Sequence, residues 1–158
     1  MRIYVASSWR NTLQPGVVVI LRRCGHEVYD FRHPAPDDIG FAWTSVEPTI
    51  PPWSGKKLRA ALEHPIARRG YGYDMAALKA CEAVVLVLPC GRSAHWELGY
   101  AMGQGKPGYV VMLGPDEPEL MYSEARILTS SEELFDAFEP PGGVRWEADR
   151  LEAPSENR

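Results

Sequence analysis

Apolar residues recur along this chain at two spacings, and the changes of spacing mark its elements. Residues 2–6 (Arg-Ile-Tyr-Val-Ala) read as a short strand. After Ser7, Ser8 and Asn11, the apolar Val17, Val18, Ile20 and Leu21 predict a helix, and Gly25 stands where a helix ending near Cys24 places its glycine. Residues 26–31 (His-Glu-Val-Tyr-Asp-Phe) predict a second strand. Strand, helix and strand within about thirty residues form a βαβ unit, which implies parallel strands and a right-handed crossover. Residues 83–88 (Ala-Val-Val-Leu-Val-Leu) are apolar without interruption, as a strand buried on both faces of a doubly wound sheet requires. A helix over 93–104, ended by Gly105 and Pro107, leads to a strand over 108–113 and a short one over 126–129. Ser130 or Ser131 caps a last helix over 132–138, with acidic residues in its first turn.

The stretch 33–55 breaks this rhythm. It holds five prolines and two tryptophans, Trp43 and Trp53, and shows little periodicity. A loop of this length inside a compact domain is usually functional, and its aromatic content argues against plain disorder. A short helix over 56–63 follows, closed by His64-Pro65, and Asp74 stands at the N-cap of a helix beginning at Met75. The expected organisation is a single α/β domain over 1–138 and a Pro-, Gly- and charge-rich tail over 139–158.

Charge and composition narrow the function. Lys and Arg number 17 against 21 Asp and Glu, a net charge of −4, which leaves no electrostatic footprint for nucleic acid. Cys24, Cys81 and Cys90 are odd in number and widely spaced, with no C-x-x-C pair, so neither a zinc site nor a redox motif is indicated. No signal-peptide pattern precedes the first strand, and no apolar stretch approaches the ~20 residues that span a bilayer. A cytoplasmic protein that touches neither membrane nor nucleic acid is expected.

In open parallel sheets, ligands bind beyond the carboxyl ends of the strands. Three segments meet there: Ala6-Ser7-Ser8-Trp9 after the first strand, Pro89-Cys90-Gly91-Arg92-Ser93 after the central one, and the start of the helix carrying Glu97. Gly91 permits a close approach of backbone to ligand, and the free N–H groups of the helix start suit a phosphate or carboxylate. Ser93 either caps this helix or bonds such an anion, and it shares a helix face with Glu97, four residues on. The helix dipole favours an ionised Glu97. Spacing alone leaves open that Glu97 merely stabilises its helix and that Ser93 and Asp74 are ordinary N-caps.

The run Gly91-Arg92-Ser93-Ala94-His95-Trp96-Glu97-Leu98-Gly99-Tyr100-Ala101, with Gly103, Gly105, Lys106 and Pro107, resembles the nucleoside 2-deoxyribosyltransferase superfamily signature, a Gly- or Ser-containing loop, E-[LI]-G-x-A and G-K-P. Ile3-Tyr4-Val5-Ala6 is similar to that family's first strand, and Asp74 before the strand of Val84 to Leu88 matches a further segment, so the likeness covers roughly residues 1–8 and 71–113. The resemblance implies a flavodoxin-like doubly wound sheet of about five mainly parallel strands with helices on both faces. It implies cleavage of an N-glycosidic bond in a nucleoside or nucleoside 5′-monophosphate, by hydrolysis or by transfer to a second base. Glu97 would attack the anomeric carbon, Tyr4 would orient that carboxylate, and Asp74 would contact or protonate the departing base. No metal or cofactor is implied. A homo-oligomer is, dimeric or larger, with Glu119-Leu120-Met121-Tyr122 reaching a neighbouring subunit.

The sequence departs from that pattern after the central strand. The transferases usually carry a sugar-contacting aspartate there, where this chain has Pro89-Cys90. Arg92 and Ser93 look more like the nucleoside 5′-monophosphate hydrolase branch, which shifts the expectation toward a nucleotide substrate and hydrolysis. Phe41 and Trp43 are either base-stacking residues or core aromatics, and Ser7 and Trp9 complete the expected substrate-binding set. Two other readings stand beside this one: a Toll/interleukin-receptor-like NAD glycohydrolase, with which Trp96-Glu97 is compatible, and a nucleotide-binding sensor without turnover.

Overall fold

The computed structural model describes residues 1–50 and 52–139; the expected tail beyond 139 lies outside the described residues. Five strands form one sheet, parallel throughout: β1 (Arg2–Ala6), β2 (Glu27–Asp30), β3 (Ala83–Val87), β4 (Gly108–Val111) and β5 (Arg126–Leu128), in the order β2-β1-β3-β4-β5. This is the flavodoxin-like arrangement that the resemblance implies, with the parallel pairing that the βαβ opening implies. β3 is buried at every residue, which is why its sequence is apolar without alternation.

Helices cover both faces. Helix α1 (Gln14–Arg23) and α5 (Ser131–Phe138) close one side over Ile3, Val5, Val85, Val87 and Val111. On the other, α3 (Pro65–Ala80) and α4 (Arg92–Gly103) cover Tyr4, Ala6, Val84, Leu86 and Val110. A short α2 (Gly55–Leu62), capped by Ser54, packs on α3. None of the described helices is long and apolar enough to cross a membrane.

Helix α3 corrects the expected position of Asp74. It starts ten residues earlier than expected, at Pro65, where a missing N–H costs nothing, and the Nδ1 of His64 accepts from Ile66 N. Asp74 is therefore inside the helix and caps nothing. Gly70 and Gly72 each weaken a helix by about 1 kcal/mol relative to alanine. Gly70 is offset by packing: a β-carbon there would lie 2.6 Å from the Cβ of Phe41. Lys106, in the Gly-Lys-Pro turn, donates to the free carbonyls of Leu78 and Lys79 at the end of the same helix.

The two loops that flank the β1–β3 junction are tied together by one buried amide. Asn11 Nδ2 donates to Val87 O and Pro89 O, both at 3.0 Å, and Oδ1 accepts from Leu13 N at 2.7 Å and Gln14 N at 3.1 Å. Every hydrogen-bonding position of the amide's nitrogen and both lone pairs of its oxygen are used. Nearby, Arg32 donates to three carbonyls of the same loop, those of Ser8, Trp9 and Asn11. Asn11→Ala removes all four bonds and leaves the Pro89 carbonyl and the Leu13 and Gln14 amides without this partner, while Val87 O keeps its bond from Ser7, so a loss of about 1–3 kcal/mol is expected in urea unfolding. Ser8→Ala, which removes one 3.3 Å contact at the surface, is expected to cost under about 1 kcal/mol.

Candidate active site

Beyond the carboxyl ends of β1, β2 and β3 lies a cavity of about 860 Å³. Nine of the ten residues singled out in the sequence line it: Ser7 and Trp9 after β1, Phe41 and Trp43 from the Pro/Trp-rich stretch, Asp74 from α3, and Gly91, Arg92, Ser93 and Glu97 from the β3–α4 turn. The tenth, Tyr4, is fully buried in the sheet beneath it.

Two carboxyl groups and two tyrosines form the centre. Tyr4 and Tyr29 are paired in register on adjacent parallel strands, so both side chains leave the same face. Their rings stack with centroids 5.1 Å apart. Tyr29 donates to Asp74 Oδ1 at 2.8 Å. The Tyr4 hydroxyl is buried without a well-aligned partner and lies beside Glu97, whose ionised form it favours. Each strand tyrosine thus serves one helix carboxyl.

Burial dominates the electrostatics here. Desolvation, then the negative field of Asp74, push the Glu97 carboxyl up to about 8, against a smaller opposing effect of the Tyr4 hydroxyl. Asp74 is also raised by burial, with its bond from Tyr29 acting the other way. Both tyrosines are held well above the usual phenol range by burial and by these carboxylates. The expectation that the helix dipole keeps Glu97 ionised at neutral pH is corrected for two reasons. Glu97 is the sixth residue of α4, past the first turn where the dipole acts, and removal from water outweighs a dipole effect of about 1 kcal/mol or less.

Ser93 is not the N-cap of α4. Gly91 holds that position and no side chain caps the helix. Ser93 and Arg92 are exposed to the cavity in the first turn, beside N–H groups that lack helical partners. Arg10 also lines the cavity, and the sequence reading did not single it out. Ser7 and Trp9 spend their donors inside the protein: Ser7 Oγ donates to Val87 O at 2.8 Å, and Trp9 Nε1 to Phe41 O at 2.9 Å. Trp9 therefore anchors the Pro/Trp-rich stretch to the β1 loop.

That stretch forms a wall of the cavity. Phe41, Trp43 and Trp53 make two successive edge-to-face contacts, at 4.9 and 5.3 Å, about one 3₁₀ turn (Trp43–Ser45). Phe41 and Trp43 are half-exposed and not core residues. Gly40 has φ +78°, and a β-carbon there would strike Phe31 O and the Trp9 ring, so only glycine lets the chain turn there. Tyr29 was also missed, although two tyrosines at matching positions of parallel neighbours were visible once the register was known.

The Glu119–Tyr122 segment divides. Leu120 and Met121 are exposed, but Tyr122 turns inward and its hydroxyl meets His95 Nε2 at 2.7 Å. Tyr122 is thus committed to its own chain, because the partly buried imidazole needs a partner there. Cys90, 3.5 Å from His95 Nδ1, is pushed up to about 12 by burial and acidic neighbours, which makes it a poor nucleophile. The three thiols are unpaired, and no group of three or more potential metal ligands occurs among the described residues.

No protein-family model matches the chain, and no curated protein matches it. Solved structures do. A 2-deoxyribosyltransferase from Bacillus psychrosaccharolyticus superposes with a TM-score of 0.55 at 17% identity, over 88% of this chain and 96% of that one. A conserved protein from Enterococcus faecalis V583 superposes with a TM-score of 0.54 at 13% identity, over 87% and 96%. The chain has a nucleoside 2-deoxyribosyltransferase-like fold.

Proposed function

We propose that this protein cleaves the N-glycosidic bond of a nucleoside or nucleoside 5′-monophosphate through a covalent intermediate on Glu97. The observation that carries this reading is the pair of desolvated carboxyls, Glu97 and Asp74, in one cavity at the carboxyl edge of a deoxyribosyltransferase-like sheet. Raised carboxyls in a cleft are what acid–base and nucleophilic chemistry near neutral pH requires.

The pair holds one proton near neutral pH. Burial raises both carboxyls, and the reaction needs that proton on Asp74. A Glu97 oxygen then bonds to the anomeric carbon as the carbon–nitrogen bond breaks. The bonding electrons leave with the base, which takes the proton from Asp74. Water attacks the same carbon, returns a proton to Asp74 and frees the sugar and the Glu97 carboxylate. A second base in place of water gives transfer instead. Tyr4 stabilises ionised Glu97, and Tyr29 orients Asp74. Phe41 and Trp43 supply faces for the base, and Arg10, Arg92 and the Gly91–Ser93 turn suit a 5′-phosphate. Oligomeric state is part of the proposal, with exposed Leu120 and Met121 as the surface to be covered.

The test is base release from nucleosides, nucleoside 5′-monophosphates and NAD, with and without an acceptor base. Glu97→Ala is expected to lose ~10³-fold or more in kcat/KM. Release that persists in this variant contradicts the role of Glu97. Release from NAD alone favours the glycohydrolase reading.

The pH dependence follows from the coupling. The kcat/KM profile is expected to be bell-shaped: low pH protonates both carboxyls and removes the nucleophile, high pH ionises both and removes the acid. The alkaline limb should fall near pH 8. Tyr29→Phe removes a bond that favours ionised Asp74, so its acidic limb should move to higher pH.

A further inference from the structure

The cavity extends well past what the reacting atoms need. Its lining follows α3 from Ile66 through Gly70 and Asp74 to Leu78, residues four apart that share one side of the helix. Ile66 precedes Asp74 by eight residues, which at 1.5 Å per residue places it about 12 Å further along the axis. A flat base held beside Asp74 is not much wider than one helical turn of about 5.4 Å. The volume of about 860 Å³ lies toward the upper end of the ~300–1,000 Å³ range for small-molecule pockets.

The two ends differ in chemistry. Near Glu97 the lining is polar, with serines, arginines and both carboxyls. At the start of α3 it is lined by Leu62, Ile66 and Ala67, whose side chains carry no hydrogen-bonding group, and Ile50 adds a further apolar side chain to the lining. The charges at that side are already engaged: Asp38 accepts from Gly40 N and lies 3.7 Å from Arg69. Two glycines maintain this shape, since β-carbons at Gly40 and Gly70 would collide with Phe31 and Phe41.

We infer that this far end is a subsite for an apolar substituent on the base, so that the substrate is a nucleoside or nucleotide with an enlarged base. This rests on the proposed N-glycosidase reading for the placement of the base beside Asp74. Ordinary bases would fill the polar half and leave the apolar half wet, whereas an alkyl or aryl group would displace that water.

The test pairs each parent with an enlarged analogue: adenosine with N6-benzyladenosine and uridine with 5-benzyluridine, as nucleosides and 5′-monophosphates. Dissociation constants are measured by calorimetry on Glu97→Gln, and base release on the unaltered protein. At least one enlarged ligand is expected to bind tenfold or more tighter than its parent. Ile66→Ala should cut that preference at least fivefold while leaving the parent within twofold. Leu62→Glu, on a half-exposed side chain whose change does not threaten folding, should do the same. No enlarged ligand preferred, or a preference unmoved by both variants, overturns the subsite. A preference in binding without base release keeps the subsite and removes the N-glycosidase reading. Base release from parents with no preference does the reverse.

Discussion

One buried amide holds the site in register. Asn11 joins the loop after β1 to the end of β3 through Val87 and Pro89, and starts α1 through Leu13 and Gln14. The positions of the cavity's parts follow from it in sequence. Arg32 gathers the carbonyls of the same loop, Trp9 leaves that loop to hold Phe41, and Phe41 packs on the bare backbone of Gly70 in α3. A loop-built wall so acquires fixed geometry from the sheet, although it has almost no regular structure of its own. Function on loops held by a rigid scaffold is the general pattern of parallel α/β domains.

The carboxyl pair depends on the same scaffold in a different way. Glu97 and Asp74 come from separate helices, α4 and α3, that pack on one face of the sheet. Beneath them the parallel register of β1 and β2 stacks Tyr4 on Tyr29, and Tyr29 bonds Asp74. Two charges withdrawn from water close to each other cannot both ionise near neutral pH, so the pair retains a proton. A helix dipole, screened and confined to the first turn, is too weak to reverse this.

The fold was largely legible in the sequence, for physical reasons. A strand buried on both faces must be apolar throughout, and β3 is; a helix ending in left-handed geometry needs glycine, and Gly25 with φ +82° supplies it. The local reading failed where tertiary packing overrode local preference. Gly70 and Gly72 conceal the middle of α3, because the contact that offsets Gly70 comes from Phe41, twenty-nine residues away. Asp74 consequently looked like a cap. Ser7, Trp9, Gly91, Arg92, Ser93 and Glu97 were foreseeable as cavity residues from the strand ends and the motif around Glu97, whereas Tyr29, Arg10 and the linking role of Asn11 depend on register and loop paths that no single segment encodes. Likewise, Glu97 seen only on its helix is an ionised residue; seen in its cavity, it is a desolvated one.

The most direct measurement is acid quenching of the protein during turnover of its best nucleoside substrate, followed by peptide mass spectrometry. A bond between Glu97 and the anomeric carbon predicts a peptide containing Glu97 that is heavier by one dehydrated sugar, and that disappears when the substrate is exhausted. Base release at full rate with no modified peptide, or with the sugar on another residue, would contradict nucleophilic attack by Glu97.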